Sequence, residues 1–461
     1  MRKTKSLKLA ALLCASLFHW RCSFCLGNAS KSTLTEELEH FAWPLLPTAE
    51  DRARKEELLR RLHAAAAQGV AQLREPLRNL RVVPFGSSVN GCGERHSDVD
   101  AALWGEPPEG RQVPPSEVVK RLAAAAPSCG LTVLEQRFAA NVPLLVVGFV
   151  EDENVTDGIT CDVSAFHLLP CYNTQLLRRY AALLPSLATL VLALKRWAKR
   201  RRLAKTWEHY ISSYSWTLLM IFFLQVKHGL PSLHQLLRRQ PAPLPRRTVY
   251  ALDFAEGGDA GRVREEDVGD LFRGFFRYYS EEFRFEEDVV SVRLGAVRAA
   301  TAAEFHPKLF RSVHIKKGKR ISEDTPPFLN IEDPIEVQRN LNFALTEATA
   351  LEIRSALRQT HADLSAGATL RDVLGDVPRH DASVSPSAEN FLALPTLAGT
   401  AARCFRCQRK FGSYKALLKH QAPMRCKYPF SCACGRGFVT AEDLQRHVNG
   451  AHGGQTPVLR R

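Results

Sequence analysis

Hydrophobic and polar positions divide the chain into short apolar runs and longer segments with helical spacing. Strands are predicted by short apolar runs, bounded by Gly or by polar turns, at 82–85, 144–150 and 159–164. Helical spacing of apolar residues is found at 34–40, 49–72, 190–203, 211–228 and 271–279. The pattern therefore predicts an α+β fold.

Three carboxylates belong to the predicted strands. Asp98 and Asp100 flank Val99, and side chains at i and i+2 of a strand project from the same face. Asp162 lies among apolar and small residues, where burial disfavours a carboxylate without a partner. Carboxylates so close repel each other unless a cation lies between them, and Mg²⁺ prefers oxygen ligands. The pattern predicts that Asp98, Asp100 and Asp162 hold two Mg²⁺ (or Mn²⁺) ions and are catalytic.

A Gly-Ser pair ends the first predicted strand, and Ser87 lies eleven positions before Asp98. Gly86 permits close approach of the backbone to a phosphate, and Ser87 offers a hydroxyl group. A helix beginning here would present free N–H groups to an anion. An isolated Asp-x-Asp pair at a strand edge is more often solvated or part of a turn, and a lone Gly-Ser pair is almost uninformative. Their order indicates nucleotidyl transfer, in which one metal activates a 3′-hydroxyl and the other holds the triphosphate.

Ordered motifs over roughly residues 80–345 resemble the DNA polymerase β-like nucleotidyltransferase superfamily. Within it they resemble the RNA-specific branch, the terminal uridylyltransferases and related poly(A) polymerases. The motifs are Phe85-Gly86-Ser87 with Asp98-Val99-Asp100, Cys161-Asp162-Val163-Ser164, Tyr172-Asn173-Thr174, Leu194–Arg200, Ser212-Ser213-Tyr214 and Asn330–Glu336. The resemblance implies a catalytic palm at 81–166, a helical poly(A) polymerase-associated central domain at 167–358, and N-terminal helices at 31–80 packing on the central domain.

The resemblance also implies a triphosphate site. Lys195 and Lys199 are at i and i+4 of a predicted helix and so share a face. They match family lysines that bind the β- and γ-phosphates, and Ser213 matches a family serine that touches the triphosphate. The alternative for the lysines is a solvated basic helix face.

The nucleoside is implied to lie against Tyr214, which matches the family tyrosine that stacks on the base. Core packing is the alternative for this ring. Asn173 and Thr174 match residues that read the ribose and the base edge. Arg339 stands where uracil-selecting members commonly carry His, and a guanidinium donates hydrogen bonds but accepts none. It could donate to a uracil carbonyl, or to N1 or N3 of adenine, but could not accept from the amino group of adenine. This favours UTP over ATP if Arg339 points inward, whereas an Arg339 turned to RNA phosphate leaves the base open.

The C-terminal part of the chain, at 403–453, contains two units with zinc-ligand spacing. Their ligands are predicted to be Cys404, Cys407, His420 and Cys426 in the first, and Cys432, Cys434, His447 and His452 in the second. Each unit has an aromatic and a Leu at the positions that form the small core of a ββα zinc finger. A disulfide is the alternative, and the histidines favour Zn²⁺. The fingers are expected to bind RNA, or else a protein partner.

Composition agrees with an enzyme acting on a polyanion. The chain has 461 residues, 45% of them hydrophobic, and a net charge of +15, so it has room for two or three domains and attracts RNA. Residues 359–402 lack steady periodicity and are predicted to be a linker, and 454–461 a basic tail. The predicted function is addition of UMP to RNA 3′ ends. The alternatives are a poly(A) polymerase, and a non-catalytic zinc-finger RNA-binding protein on a transferase scaffold.

Residues 1–30 are predicted to be a targeting presequence. The first residues are basic, 9–18 are apolar, and the first acidic residue is Glu36. The apolar run is too short for a stable membrane span. Because zinc-type cysteines and nucleotide chemistry suit a reducing compartment, we expect a mitochondrial or plastid location, with the cytoplasm as the alternative.

Overall fold

The computed structural model describes residues 32–108, 113–140, 142–149, 158–237, 250–256, 266–306, 309 and 328–375, with short strand segments at 312–316, 319–323 and between 402 and 438. The helices are α1 Thr33–Ala42, α2 Ala49–Ala71, α3 Ser87–Asn90, α4 Pro115–Ala125, α5 Leu169–Leu183, α6 Leu187–Arg200, α7 Ser213–His228, α8 Leu233–Leu236, α9 Val268–Arg277, α10 Glu347–Ser365 and α11 Leu370–Leu374. The strands are β1 Arg78–Phe85, β2 Val99–Glu106, β3 Leu131–Arg137, β4 Leu144–Phe149, β5 Thr160–Ala165, β6 Val289–Val290, β7 Ser312–Lys316, β8 Lys319–Glu323, β9 Asn330–Ile331, β10 Ala402–Arg403, β11 Lys410–Phe411, β12 Phe430–Ser431 and β13 Gly437–Phe438. The predicted α+β class is confirmed.

A five-stranded sheet forms the first unit, in the order β1-β2-β5-β4-β3. The β2–β5 pair is parallel and the other pairs are antiparallel. Alternate residues of β2 (Val99, Ala101 and Leu103) join the core beneath α2 and α4. Since side chains alternate along a strand, Asp100 and Ala102 face the opposite side of the sheet.

The two N-terminal helices pack on different units. Leu38 and Phe41 of α1 are fully buried in the core of the central helical unit. Leu58 and Leu62 of α2 are fully buried in the core of the sheet unit. The expectation that both helices pack on the central domain therefore needs correction for α2. Its apolar stripe, at spacing i and i+4, fits the apolar face of the sheet instead.

Aromatic side chains fill the central unit. Trp197 of α6 makes edge-to-face contacts with Trp216 of α7 and Phe276 of α9, with ring centroids 5.3 and 5.0 Å apart. In α7 every residue from 215 to 225 is buried, which accounts for its apolar sequence. Among the described residues, no single helix has the length and apolarity to cross a membrane. Helices α5 and α6 reach that length and apolarity only when taken together, and the chain bends by 120° between them.

The Asn330–Glu336 motif is tied into this unit by a buried ion pair. Arg293 donates to Glu332 at 2.6 Å, and both side chains are almost fully buried. Asp333 accepts the backbone N–H groups of Ile335 and Glu336 at 2.9 Å each. These two acidic residues of the motif therefore fix the backbone that leads to Arg339.

Two short hairpins are found in the C-terminal part. Strand β10 pairs with β11, and β12 pairs with β13. Residues 404 and 407 fall between the strands of the first hairpin, and 432 and 434 between those of the second. All eight predicted zinc ligands lie outside the described residues, as do 1–31.

Candidate active site

The turn after β1 is shaped by a glycine. Gly86 has φ +77°, a conformation that L side chains rarely adopt. A Cβ atom here would lie 2.0 Å from Oδ2 of Asp100, so only hydrogen fits. The Gly86 N–H donates to Oγ1 of Thr174 at 2.9 Å. The predicted helix follows, but it is the single turn α3, beginning at Ser87.

The sheet brings the predicted carboxylates together. Asp100 on β2 is paired with Phe85 on one side and with Asp162 of β5 on the other. Asp98, just before β2, is exposed. Burial first, and then the charges of Asp98 and Asp162, raise the pKa of Asp100 to about 7. Burial and then Asp98 raise the pKa of Asp162, against the nearby guanidinium of Arg137.

This donor set fits a divalent cation. Carboxylate oxygens are the ligands that Mg²⁺ and Mn²⁺ prefer, and a cation relieves the mutual repulsion of Asp98, Asp100 and Asp162. Among the described residues, no three His, Cys, Asp or Glu side chains are already drawn together into a metal site. The structure thus places the carboxylates near one another, and a bound ion would draw their oxygens to ligand distance.

The two predicted triphosphate lysines contact the segment 86–98, called the catalytic loop below. The Lys195 ammonium donates to the Cys92 carbonyl oxygen at 2.9 Å. Burial lowers the pKa of Lys195. Lys199 forms a surface pair with Glu94 at 3.5 Å. Both lysines therefore lie beside the loop that joins Gly86 to the predicted metal-binding carboxylates.

Two residues predicted to bind the nucleoside, Asn173 and Tyr214, carry buried polar atoms. Neither Oδ1 of Asn173 nor the hydroxyl of Tyr214 has a hydrogen-bond partner in the described part of the chain. Burial raises the pKa of Tyr214 well above its usual value, with Asp333 adding to the rise and Arg339 opposing it. Buried polar atoms without partners are costly in a folded protein, so they fit a site completed by a ligand.

Arg339 lies at the edge of this region. Its side chain is 48% exposed and pairs with Glu336 at 3.5 Å, and the guanidinium lies 5.5 Å from the ring centroid of Phe343. Burial lowers the pKa of His167, and the Arg339 charge lowers it further. Arg339 is therefore within electrostatic reach of both His167 and Tyr214.

Two further residues of the predicted site, Thr174 and Ser213, make contacts within the protein. Thr174 is 3% exposed, and its hydroxyl accepts from Gly86 while donating to the Pro170 carbonyl at 2.8 Å. In the structure its hydroxyl is engaged by the turn at Gly86 and by the helix backbone at Pro170, so both of these hydrogen bonds are within the protein. Ser213 begins α7 immediately after the N-cap Ser212, and its carbonyl accepts from Thr217.

Two charged residues at this site, Lys55 and Glu94, were not predicted from the sequence. Lys55 is 2% exposed on α2 and contacts the catalytic loop. A lysine on the apolar stripe that includes Leu58 and Leu62 was the available signal. For Glu94 the sequence carries no comparable signal, because its contact with Lys199 spans 105 residues.

Two stretches of the chain match known families. Residues 34–182 match the family described as "Poly(A) RNA polymerase, mitochondrial-like, central palm domain", and 267–339 match "Cid1 family poly A polymerase". These matches support the nucleotidyltransferase family. The first stretch includes Gly86 and the three carboxylates, and the second ends at Arg339.

Curated relatives are similar over the same part of the chain. Human terminal uridylyltransferase 7 is 25% identical over 288 residues, which cover 59% of this chain and 18% of that protein. Poly(A) RNA polymerase gld-2 of Caenorhabditis elegans is 30% identical over 260 residues, covering 55% and 22%. The chain thus spans about a fifth of the length of these two relatives.

Solved structures of Cid1 share the fold. One, described for its RNA terminal uridylyl transferase activity, has a TM-score of 0.59 and 19% identity, covering 76% of this chain and 99% of that chain. Another, in complex with the UTP analogue UMPNPP, has a TM-score of 0.55 and 19% identity, covering 74% and 97%. The likeness shows a common α+β architecture.

Proposed function

We propose that the protein is a template-independent RNA 3′-terminal nucleotidyltransferase. The observation that carries the proposal is the pairing of Asp100 with Asp162 directly beside the Gly86 turn. This arrangement sets metal-binding oxygens next to a backbone that a phosphate can approach. The terminal uridylyltransferases and poly(A) RNA polymerases among the relatives agree with it.

In this proposal each group of residues has one task. Asp98, Asp100 and Asp162 hold Mg²⁺ or Mn²⁺, which when bound activates the RNA 3′-hydroxyl and stabilises the leaving pyrophosphate. Asp162 would be the base-like ligand to the RNA 3′-oxygen. The triphosphate is bound by Gly86, Ser87, Lys195, Lys199 and Ser213. The nucleoside is bound by Asn173, Tyr214 and Arg339, while Thr174 acts by holding Gly86 in place.

Primer extension tests the proposal. A labelled RNA primer is offered with each of the four nucleoside triphosphates and Mg²⁺ or Mn²⁺. We expect wild type to extend it, and Asp162→Asn to lose activity by a factor of at least ~10³ without unfolding. The matched control is Asp270→Asn, which removes a surface carboxylate paired with Arg273. No extension by wild type, or full activity in Asp162→Asn, would refute the proposal.

We propose UTP as the preferred substrate, with ATP as the alternative. Support comes from the half-exposed guanidinium of Arg339, within electrostatic reach of Tyr214. A guanidinium can donate to a uracil carbonyl but cannot accept from the adenine amino group. The same four-nucleotide assay decides between the two.

The C-terminal units are proposed to bind one Zn²⁺ each and to grip RNA. The support is the ligand spacing together with the two backbone hairpins that bracket the cysteine pairs. Elemental analysis of the full chain should find two zinc ions, and fewer in Cys407→Ser and Cys434→Ser. If the fingers grip RNA, these variants should bind the primer more weakly; if they dock a protein, primer binding should be unchanged.

For residues 1–30 we propose an organelle-targeting role, mitochondrial or plastid. The support is the basic, acid-poor start followed by a short apolar run. Imaging of the tagged full chain should show an organelle, and a chain lacking 1–30 should become diffuse. Diffuse staining of both would favour the cytoplasm.

A further inference from the structure

Lys55 is a buried cation on the side of α2 that faces the sheet unit. The residue is 2% exposed and one helical turn before the buried Leu58. Its ammonium lies 3.2 Å from Oγ of Ser88, 3.3 Å from Oγ of Ser97 and 3.5 Å from the carbonyl oxygen of Glu94. An ammonium has three N–H donors, and these three oxygens can accept them.

All three acceptors belong to the catalytic loop. The Ser88 hydroxyl donates to the backbone carbonyl of Asp98 at 2.8 Å. Because Ser88 has one hydroxyl proton, receiving a hydrogen bond from Lys55 leaves that proton for Asp98. Two consecutive hydrogen bonds therefore run from α2 to the backbone of a metal-binding aspartate.

The catalytic loop has a second attachment to the N-terminal helices. Asp51, one turn before Lys55, pairs with Arg95 of the loop at 3.2 Å. The Arg95 backbone N–H donates to the Leu45 carbonyl at 2.7 Å. On its other side the loop is held by Lys195 through the Cys92 carbonyl. The loop is thus fixed from α2 and from α6, and Lys55 is its most deeply buried polar anchor from α2.

Stability alone does not account for a lysine here. Burial lowers the pKa of Lys55 to about 8, although Asp51 and Asp98 oppose the shift, so the buried charge is costly. Methionine, apolar, unbranched and of similar length, could fill the same space without that cost. The charge is best explained by the loop geometry that it maintains.

We propose that Lys55 is a positioning residue, which holds the catalytic loop so that Asp98 meets the metal ions and Gly86 meets the triphosphate. The inference rests on the proposed nucleotidyl transfer for its catalytic consequence. Its geometric consequence, the placement of a metal-binding aspartate, can be measured without any turnover.

The test compares Lys55→Met with wild type in three measurements. We expect the melting temperature to change little, because relief from the desolvated charge offsets the loss of the three hydrogen bonds of Lys55. We expect Mn²⁺ binding, measured by electron paramagnetic resonance without RNA, to weaken by about 3- to 10-fold, corresponding to a modest misplacement of one ligand. Primer extension should fall by ~10-fold or more in kcat. Ser88→Ala should act in the same direction, and its effect should shrink in the Lys55→Met background.

Lys120→Met is the matched control, since Lys120 is an exposed lysine on α4 of the same unit. It should leave all three measurements unchanged. If Lys55→Met lowered the melting temperature, and Mn²⁺ binding and primer extension fell only in proportion to the unfolded fraction, the role of Lys55 would be purely structural and the proposal would be overturned. Wild-type Mn²⁺ affinity in Lys55→Met would overturn it as well. If wild type itself extends no primer, the proposed function fails, while the Mn²⁺ comparison still decides the role of Lys55.

Discussion

Asp100 on β2 lies directly opposite Asp162 on the parallel strand β5. Both side chains face away from the core beneath α2 and α4, and the carboxylate of Asp100 lies against Gly86, the residue that follows β1. Burial and the two neighbouring carboxylates together raise the pKa of Asp100 to about 7. This pair therefore couples metal binding, proton binding and stability, and each coupling can be measured.

Replacing Asp100 should stabilise the protein while removing its activity. In the unfolded chain Asp100 has its ordinary pKa of 3.8, so between pH 4 and 7 the folded state retains a proton that the unfolded state has released. The Asp100 contribution to stability is thus lost as pH rises, by up to ~4 kcal/mol above pH 7. In EDTA at pH 8, Asp100→Asn should melt above wild type, and the difference should fade toward pH 4. A destabilised or active variant would contradict the metal-site assignment.

Metal binding should compete with protons at this site. A carboxyl group with a pKa of about 7 must lose its proton before it can bind a cation. We expect the apparent Mn²⁺ affinity of wild type to be constant above pH 7.5 and to fall by up to ~10-fold per pH unit below 7, as one proton is displaced. Calorimetric titration at a series of pH values measures this directly. A flat profile between pH 5.5 and 8 would mean that Asp100 is not a ligand.

Gly86→Ala should remove activity through a local collision. The added methyl group would lie 2.0 Å from Oδ2 of Asp100, at a φ of +77°. Gly229 offers a matched control, because its φ is +71° and a methyl group added there would meet nothing within 4 Å. Both substitutions should cost about 1 kcal/mol for the backbone strain. Only Gly86→Ala should lose more stability than that and abolish primer extension, as thermal melting and the extension assay would show.

The strands and the site motifs were predictable because their signals are local. Apolar runs located β4 and β5, and the spacing of Asp98 and Asp100 identified one edge of the site. The insertion of β5 between β2 and β4 is not local, and it is what sets Asp162 beside Asp100. Likewise, the contact between Thr174 and Gly86 joins residues 88 positions apart. A motif assigns the residue type, whereas tertiary packing decides whether the side chain faces a ligand or another part of the protein.

Arg339→Ala should reduce discrimination between UTP and ATP. If the guanidinium donates to the uracil base, its loss should lower kcat/KM for UTP by about 10-fold and leave that for ATP nearly unchanged. Arg298→Ala, which removes a surface ion pair with Glu304 in the same unit, is the control and should change neither value. An equal fall for both nucleotides would indicate that Arg339 contacts RNA phosphate instead. The steady-state ratio for the two substrates is the measurement.

Loss of the Arg293–Glu332 pair should lower the free energy of unfolding without changing the nucleotide preference. Both side chains are almost fully buried, and Arg293 donates to both carboxylate oxygens of Glu332. Arg293→Met would leave a buried carboxylate without its cation, so we expect a loss of about 3–5 kcal/mol in denaturant unfolding. Adding Glu332→Gln should recover much of that loss, because the uncompensated charge disappears.

The exposed pair Arg298–Glu304 provides the comparison, and Arg298→Met should cost no more than about 1 kcal/mol. At temperatures where it remains folded, the Arg293→Met/Glu332→Gln protein should keep its nucleotide preference, since both side chains are almost fully buried and offer almost no surface to a nucleotide. Equal costs for the buried and the exposed pair would show that the motif segment is not held by this interaction. A changed UTP-to-ATP ratio in the folded double variant would instead place the ion pair in direct control of Arg339.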